Sequence, residues 1–147
     1  MLKYPYIVII DDDSDDSALL DECFQKFHCL PVYSFNRGSS FFHFIDHDEP
    51  GNICLIVVDL NLPESSGVNI LKKIKENVLL SSIPVLVFTT GGTPAEMEFC
   101  KKLSIKIFRK PNSIKEWETT AFEMASHCDA TLMNTNVTVQ SAMNSYS

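Results

Sequence analysis

The chain has 147 residues, 45% of them hydrophobic, which suits one domain with a substantial core and excludes disorder throughout. Its 12 basic and 19 acidic residues leave a net charge of −7, and the imbalance is local: residues 1–50 carry three basic and ten acidic groups, residues 51–147 nine of each. That balance argues against direct nucleic-acid binding, which needs a cationic surface. No apolar run approaches the roughly 20 residues of a membrane-spanning helix. Met1-Leu2-Lys3-Tyr4-Pro5 leads straight into a strand pattern without the layout of a secretion signal, so the expected location is the cytoplasm. Five cysteines (Cys23, Cys29, Cys54, Cys100, Cys128) show no paired metal spacing. Most are expected to be small buried apolar residues in a reducing compartment.

Short apolar runs alternate with segments of helical period. Tyr6–Ile10 is β-branched and continuous and stops at Asp11-Asp12-Asp13. A helix follows over Ser17–Phe27, with Leu19, Leu20, Cys23, Phe24 and Phe27 on one face and Ser14 or Asp15 as the expected cap. Pro31–Phe35 is a weaker strand, and Ser39–Asp46 a helix carrying Phe41, Phe42 and Ile45. Ile53–Val58 is a second continuous apolar run, ending at Asp59. The helix over Gly67–Asn77 places Val68, Leu71 and Ile74, with Val78 beyond it, on its apolar side. Pro84–Phe88 is a third strand run, ending at Thr89-Thr90, and Pro94–Leu103 a helix capped by Thr93 with proline in its first turn. Ile105–Phe108 is the last strand, ending at Arg109-Lys110-Pro111. Ser113–His127 is the last helix, with Ile114, Trp117, Ala121, Phe122 and Met124 apolar.

Strict alternation of five strands and five helices predicts an α/β fold, a parallel sheet with helices on both faces. One domain over residues 1–128 is expected, followed by a polar tail over 129–147.

In open parallel sheets functional groups gather at the carboxyl ends of the strands. Here those ends carry Asp11-Asp12-Asp13, Asp59, Thr89-Thr90 and Lys110. Clustered carboxylates repel one another, and a divalent cation relieves the repulsion; an all-oxygen donor set suits Mg2+. A carboxylate beside such a cation can attack phosphorus and form an acyl phosphate, while a lysine and a hydroxyl hold the remaining phosphoryl oxygens. One acidic run alone would be no more than a set of helix caps and turns. Four strand ends agreeing is a stronger signal.

The set Asp11-Asp12, Asp59 in Asp-Leu-Asn-Leu-Pro with Gly67 following, Thr89, and Lys110-Pro111 resembles the receiver domain of two-component response regulators, over about residues 4–128. The resemblance implies a flavodoxin-like (βα)5 doubly wound parallel sheet with strand order 2-1-3-4-5. It implies Asp59 as phosphoacceptor, Asp12 as a direct Mg2+ ligand, Asp11 as a ligand mainly through water, and the backbone carbonyl of Asn61 as a further ligand. Thr89 would bond a phosphoryl oxygen and move on activation, Lys110 would pair with the phosphoryl group, and Pro111 would follow a cis bond. A sensor histidine kinase or a histidine phosphotransfer protein would donate the phosphoryl group, and the domain would catalyse only its own phosphorylation and dephosphorylation. Output through a downstream protein effector, and a possible homodimer, are expected, with Lys101, Lys102, Lys106, Arg109 and Lys110 marking a contact surface.

The chain departs from the family pattern at the aromatic switch position, which is Ile107, and at the turn Leu103-Ser104-Ile105, where Gly-Ala is usual. Three other readings compete. Asp11, Asp13, Asp15 and Glu22 fit a calcium loop, but Asp16 stands where that loop needs glycine. A phosphohydrolase of the aspartyl-phosphate type would make Asp11 the nucleophile. A pseudo-receiver would keep the fold as a binding module and drop the chemistry.

Overall fold

A computed structural model describes residues 5–27, 30–48, 50–63 and 66–128; Cys29 and the segment expected as a polar tail, 129–147, lie outside the described residues. The elements run β1 (Tyr6–Ile10), α1 (Ser14–Phe27), β2 (Val32–Phe35), α2 (Gly38–His47), β3 (Ile53–Val58), α3 (Gly67–Glu76), β4 (Val85–Thr89), α4 (Pro94–Lys102), β5 (Lys106–Arg109) and α5 (Ile114–Ala125). All strand pairs are parallel, and the sheet order is β2-β1-β3-β4-β5. The expected flavodoxin-like topology is therefore present.

The continuous apolar runs are buried on both faces, and the pleat divides their side chains between two cores. Tyr6, Val8, Ile10, Ile56 and Val58 pack with Phe41, Ile45, Ile70, Leu71, Ile74 and Cys100 beneath α2, α3 and α4. Ile7, Ile9, Leu55, Val57, Leu86 and Phe88 pack with Leu20, Phe24, Trp117, Ala121 and Met124 beneath α1 and α5. The β2 strand lies at the sheet edge and is only half buried, which accounts for its weaker apolar pattern.

Alternation fails once. Tyr6 pairs with Ile53 but Ile7 pairs with Leu55, so Cys54 is an extra residue in β3, a β-bulge. Cys54 and Leu55 therefore both belong to the α1/α5 core. There Cys54 is joined to Cys128 by a disulfide, 74 residues apart in sequence. This corrects the expectation of mainly free thiols for that pair. Neither the bulge nor the proximity is visible in the cysteine spacing. Cys23 and Cys100 are free and buried, as expected.

Three local differences have identifiable causes. Helix α1 begins at Ser14, and its cap is Asp13 rather than Ser14 or Asp15, because Asp13 Oδ1 accepts from the backbone N–H groups of Asp15 (3.0 Å) and Asp16 (3.1 Å). Helix α3 stops at Glu76, since Asn77 turns the chain by accepting the Leu79 N–H on its side chain at 2.8 Å. Val78 is therefore 90% exposed, and Leu80 enters the core in its place. Phe27 and Phe122 are exposed at the ends of α1 and α5 and meet edge to face at 5.4 Å between ring centres.

Candidate functional site

The carboxyl edge of the sheet collects the predicted residues. Asp11 follows β1 and Asp59 follows β3, each 5% exposed. The two strand ends are tied by the Asp59 N–H donating to the Ile10 carbonyl at 3.0 Å. Each carboxylate is oriented by a backbone N–H two residues on: Asp13 N–H donates to Asp11 Oδ1 at 2.9 Å, and Asn61 N–H to Asp59 Oδ1 at 3.0 Å. One oxygen from each of Asp11, Asp12 and Asp59 lies within 4.8 Å of the others. Asp12 is exposed and Asp11 and Asp59 are buried, so the cluster opens to solvent on one side.

Lys110 reaches this cluster from the end of β5. Its backbone N–H donates to the Thr89 carbonyl at 2.9 Å, which continues the strand pairing by one residue. Its side chain is 5% exposed, and its ammonium donates to Asp11 Oδ2 at 2.8 Å and to Asp59 Oδ2 at 3.0 Å. A third bond, to Asp16 Oδ2 at 2.8 Å, was not foreseen from the sequence. Asp16 sits in the first turn of α1, 94 residues from Lys110, and the acidic run offered no signal to separate it from helix-capping neighbours.

Thr89 is 2% exposed at the end of β4. Its hydroxyl donates to the Gly91 carbonyl at 2.7 Å and accepts from the Asn61 side-chain amide at 3.3 Å. Asn61 thus touches both sides of the site, Asp59 through its backbone and Thr89 through its side chain. Ile107 pairs with Val87 in the sheet and is half buried against the α2–α4 core, a branched aliphatic where the family pattern has an aromatic ring. Pro111 follows a trans bond, which corrects the expected cis bond, as no described peptide is cis. Trans is the lower-energy isomer, and here the Pro111 carbonyl also accepts from the Trp117 indole N–H at 3.0 Å.

Above this edge, helix α4 opens with a capping box: Thr93 Oγ1 accepts from Glu96 N–H at 3.1 Å, and Glu96 Oε1 accepts from Thr93 N–H at 2.9 Å. The other Glu96 oxygen accepts from the Ser66 hydroxyl at 3.3 Å, and Ser66 caps α3.

The electrostatics favour a cation. Burial pushes Asp11 up to about 6, against the pull of Lys110, with the neighbouring Asp59 charge adding to the rise. The Lys110 ammonium is raised by its three carboxylate partners, which outweigh its own burial. A raised carboxylate binds its proton more tightly folded than unfolded, so its contribution to stability falls as pH rises. For the metal-free protein, stability should fall by about 2–3 kcal/mol between roughly pH 4 and 6.5 on account of Asp11. Urea unfolding in EDTA across that window checks this, and Asp11→Asn should flatten the slope.

Comparison with known proteins bears on the same residues. The family model of the response regulator receiver domain matches residues 7–120. The chain is similar to the two-component response regulator ORR7 of Oryza sativa subsp. japonica, 32% identical over 97 residues, covering 65% of this chain and 44% of that protein. It is also similar to ARR8 of Arabidopsis thaliana, 27% identical over 123 residues, covering 72% of this chain and 54% of that protein. The matched region thus spans about half the length of these curated relatives. Among solved structures, the fold is similar to that of the phosphorylated cyanobacterial phytochrome response regulator RcpA, with a TM-score of 0.76 at 20% identity over 88% of this chain and 96% of that one. The Mn2+-bound form of response regulator Rcp1 has a TM-score of 0.69 at 24% identity over 79% of this chain and 88% of that one. Most of the chain, including every strand end that carries a site residue, falls within the matched region, and the chain belongs to the response regulator receiver domain family of two-component systems.

Proposed function

We propose that this receiver domain accepts a phosphoryl group on Asp59 in a Mg2+-dependent reaction and signals by protein–protein contact. One observation carries the reading: a single buried ammonium, Lys110, bridges Asp59 and Asp11 inside a three-carboxylate cluster that opens to solvent. The donor set fits a hard divalent cation, because it is all oxygen and its negative charge exceeds what one lysine neutralises. Asp11, Asp12 and Asp59 would hold the ion, with the Asn61 carbonyl as a further ligand. When bound, it supplies charge neutralisation for an anion approaching Asp59.

The chain's own residues do the rest. An Asp59 carboxylate oxygen attacks phosphorus, and the bond to the donor's leaving group breaks; for a phosphohistidine donor that group is the imidazole. The Asn61 N–H, already on Asp59 Oδ1, holds the carboxylate plane during the attack. Lys110 turns from Asp59 Oδ2 to a phosphoryl oxygen. The Thr89 hydroxyl leaves the Gly91 carbonyl and donates to another phosphoryl oxygen, which draws the β4–α4 connection toward Asp59. The donor is a sensor histidine kinase or a histidine phosphotransfer protein. The domain's output is contact with an effector protein.

Incubation with acetyl phosphate and intact-mass measurement test this. A phosphoryl adduct should form with Mg2+ and not in EDTA, and Asp59→Asn should abolish it. No adduct under either condition would leave a phosphorylation-independent binding module. An adduct lost in Asp11→Asn but kept in Asp59→Asn would move the nucleophile to Asp11.

A further inference from the structure

An ammonium has three N–H donors, and all three of those on Lys110 are committed, to Asp11 and Asp16 at 2.8 Å and to Asp59 at 3.0 Å. The three acceptors are not equivalent. Asp11 and Asp59 also belong, with Asp12, to the carboxylate cluster. Asp16 does not, and meets Lys110 from the first turn of α1. Its backbone is fixed, because its N–H is one of the two held by the Asp13 cap. Its side chain is 27% exposed against 5% for Asp11 and 6% for Asp59, so it carries its charge at lower desolvation cost.

A cation on Asp11 and Asp59, and a phosphoryl group on Asp59, both withdraw acceptors from Lys110. Asp16 is the one partner that neither event consumes. We propose that Asp16 is a positioning residue: it anchors Lys110 over Asp59 while a divalent cation and the phosphoryl group take the lysine's other two partners. The proposal rests on the phosphoacceptor reading of Asp59 for its kinetic consequence, but not for its consequence on cation binding. Without Asp16, Lys110 has only Asp11 and Asp59 to hold, so it competes harder with the cation. Once displaced, it has no fixed direction from which to meet a phosphoryl oxygen.

Two readouts test this in the full chain: the rate of Asp59 phosphorylation by acetyl phosphate at saturating Mg2+, and the Mg2+ dissociation constant by calorimetry. Asp16→Asn should slow phosphorylation about tenfold, the scale of a displaced catalytic group, and weaken Mg2+ binding about fivefold. Asp15→Asn removes the same charge from the same helical turn and should change each by less than about twofold. Asp16→Glu should recover most of the rate. Asp16→Asn combined with Lys110→Met should be no slower than Lys110→Met alone, because Asp16 acts only through the lysine. If Asp16→Asn and Asp15→Asn behave alike, or the double variant shows additive losses, Asp16 contributes only local charge and the proposal is overturned. If the wild-type chain takes no phosphoryl group, the phosphoacceptor reading fails instead. The Mg2+ constants of Asp16→Asn and Asp15→Asn then decide the anchor by themselves. If Lys110→Met does not fold, the Asp15 control and the Asp16→Glu recovery decide it.

Discussion

Lys110→Met should cost the metal-free protein about 3 kcal/mol at pH 7, the range seen when one partner of a buried ion pair is removed. The methionine fills similar space against the Phe88 ring, whose centre lies 5.9 Å from the Lys110 ammonium, so packing is nearly conserved and charge dominates. Asp11, Asp59 and Asp16 each lose their hydrogen-bonded counter-charge at once. Like charges about 4 Å apart repel by roughly 4 kcal/mol at an effective dielectric constant near 20. The protein escapes this by taking up a proton or a cation. Lys110 now holds Asp11 down against burial, so its removal lets the Asp11 carboxyl rise beyond its present value of about 6. The variant should therefore gain stability as pH falls from 8 to 5, and should recover most of its loss in Mg2+ at pH 7. Urea unfolding with and without EDTA at several pH values measures both. A variant as stable as wild type in EDTA at pH 7 would mean that Lys110 does not neutralise the cluster.

Gly67→Ala should destabilise the domain by about 3 kcal/mol, although alanine is the better helix former. A Cβ at Gly67 would lie 2.5 Å from the Asp59 carbonyl oxygen and 2.6 Å from Leu60 Cα, both main-chain atoms that cannot swing aside. The first residue of α3 is held there because the Gly67 N–H donates to the Leu60 carbonyl at 3.1 Å. Relief requires either α3 or the Asp59–Leu60 backbone to move. The second route disturbs the Asn61 N–H that orients Asp59, so the proposed phosphoryl transfer to Asp59 should suffer beyond the loss of stability. Two controls calibrate the result. Gly38→Ala meets the flexible end of Ile70 at 2.6 Å, and Gly91→Ala meets nothing within 4 Å. Thermal unfolding should rank the losses Gly67 above Gly38 above Gly91.

The fold was legible because three strands are buried on both faces and read as unbroken apolar runs ending at charged or hydroxyl residues. The edge strand β2 was weaker for the same reason, as half its surface faces solvent. Of the site, Asp11, Asp12, Asp59, Thr89 and Lys110 were named by position at strand ends, where the parallel sheet must bring them together. Asp16 was not, because its role depends on the rotation of α1 about its axis. The Asp13 cap sets that rotation, and three neighbouring residues could equally have capped the helix. Cys54 and Cys128 were missed because an extra residue in β3 reverses the side on which Cys54 falls. The trans bond before Pro111 depends on its surroundings, which include the Trp117 indole.

That extra residue bears on how the domain tolerates change in chain length. Downstream of it, Ile7–Ile10 pair with Leu55–Val58 without interruption, up to the residues that deliver Asp11 and Asp59. The irregularity sits at the opposite edge, beside Tyr6 and Ile53. A one-residue insertion or deletion there is taken up as a change of bulge, before the register that fixes the carboxylates begins. The same change after Leu55 would turn Asp59 to the other side of the sheet. The amino-terminal edge of the sheet should thus tolerate a one-residue change in length, and the carboxyl-terminal edge should not.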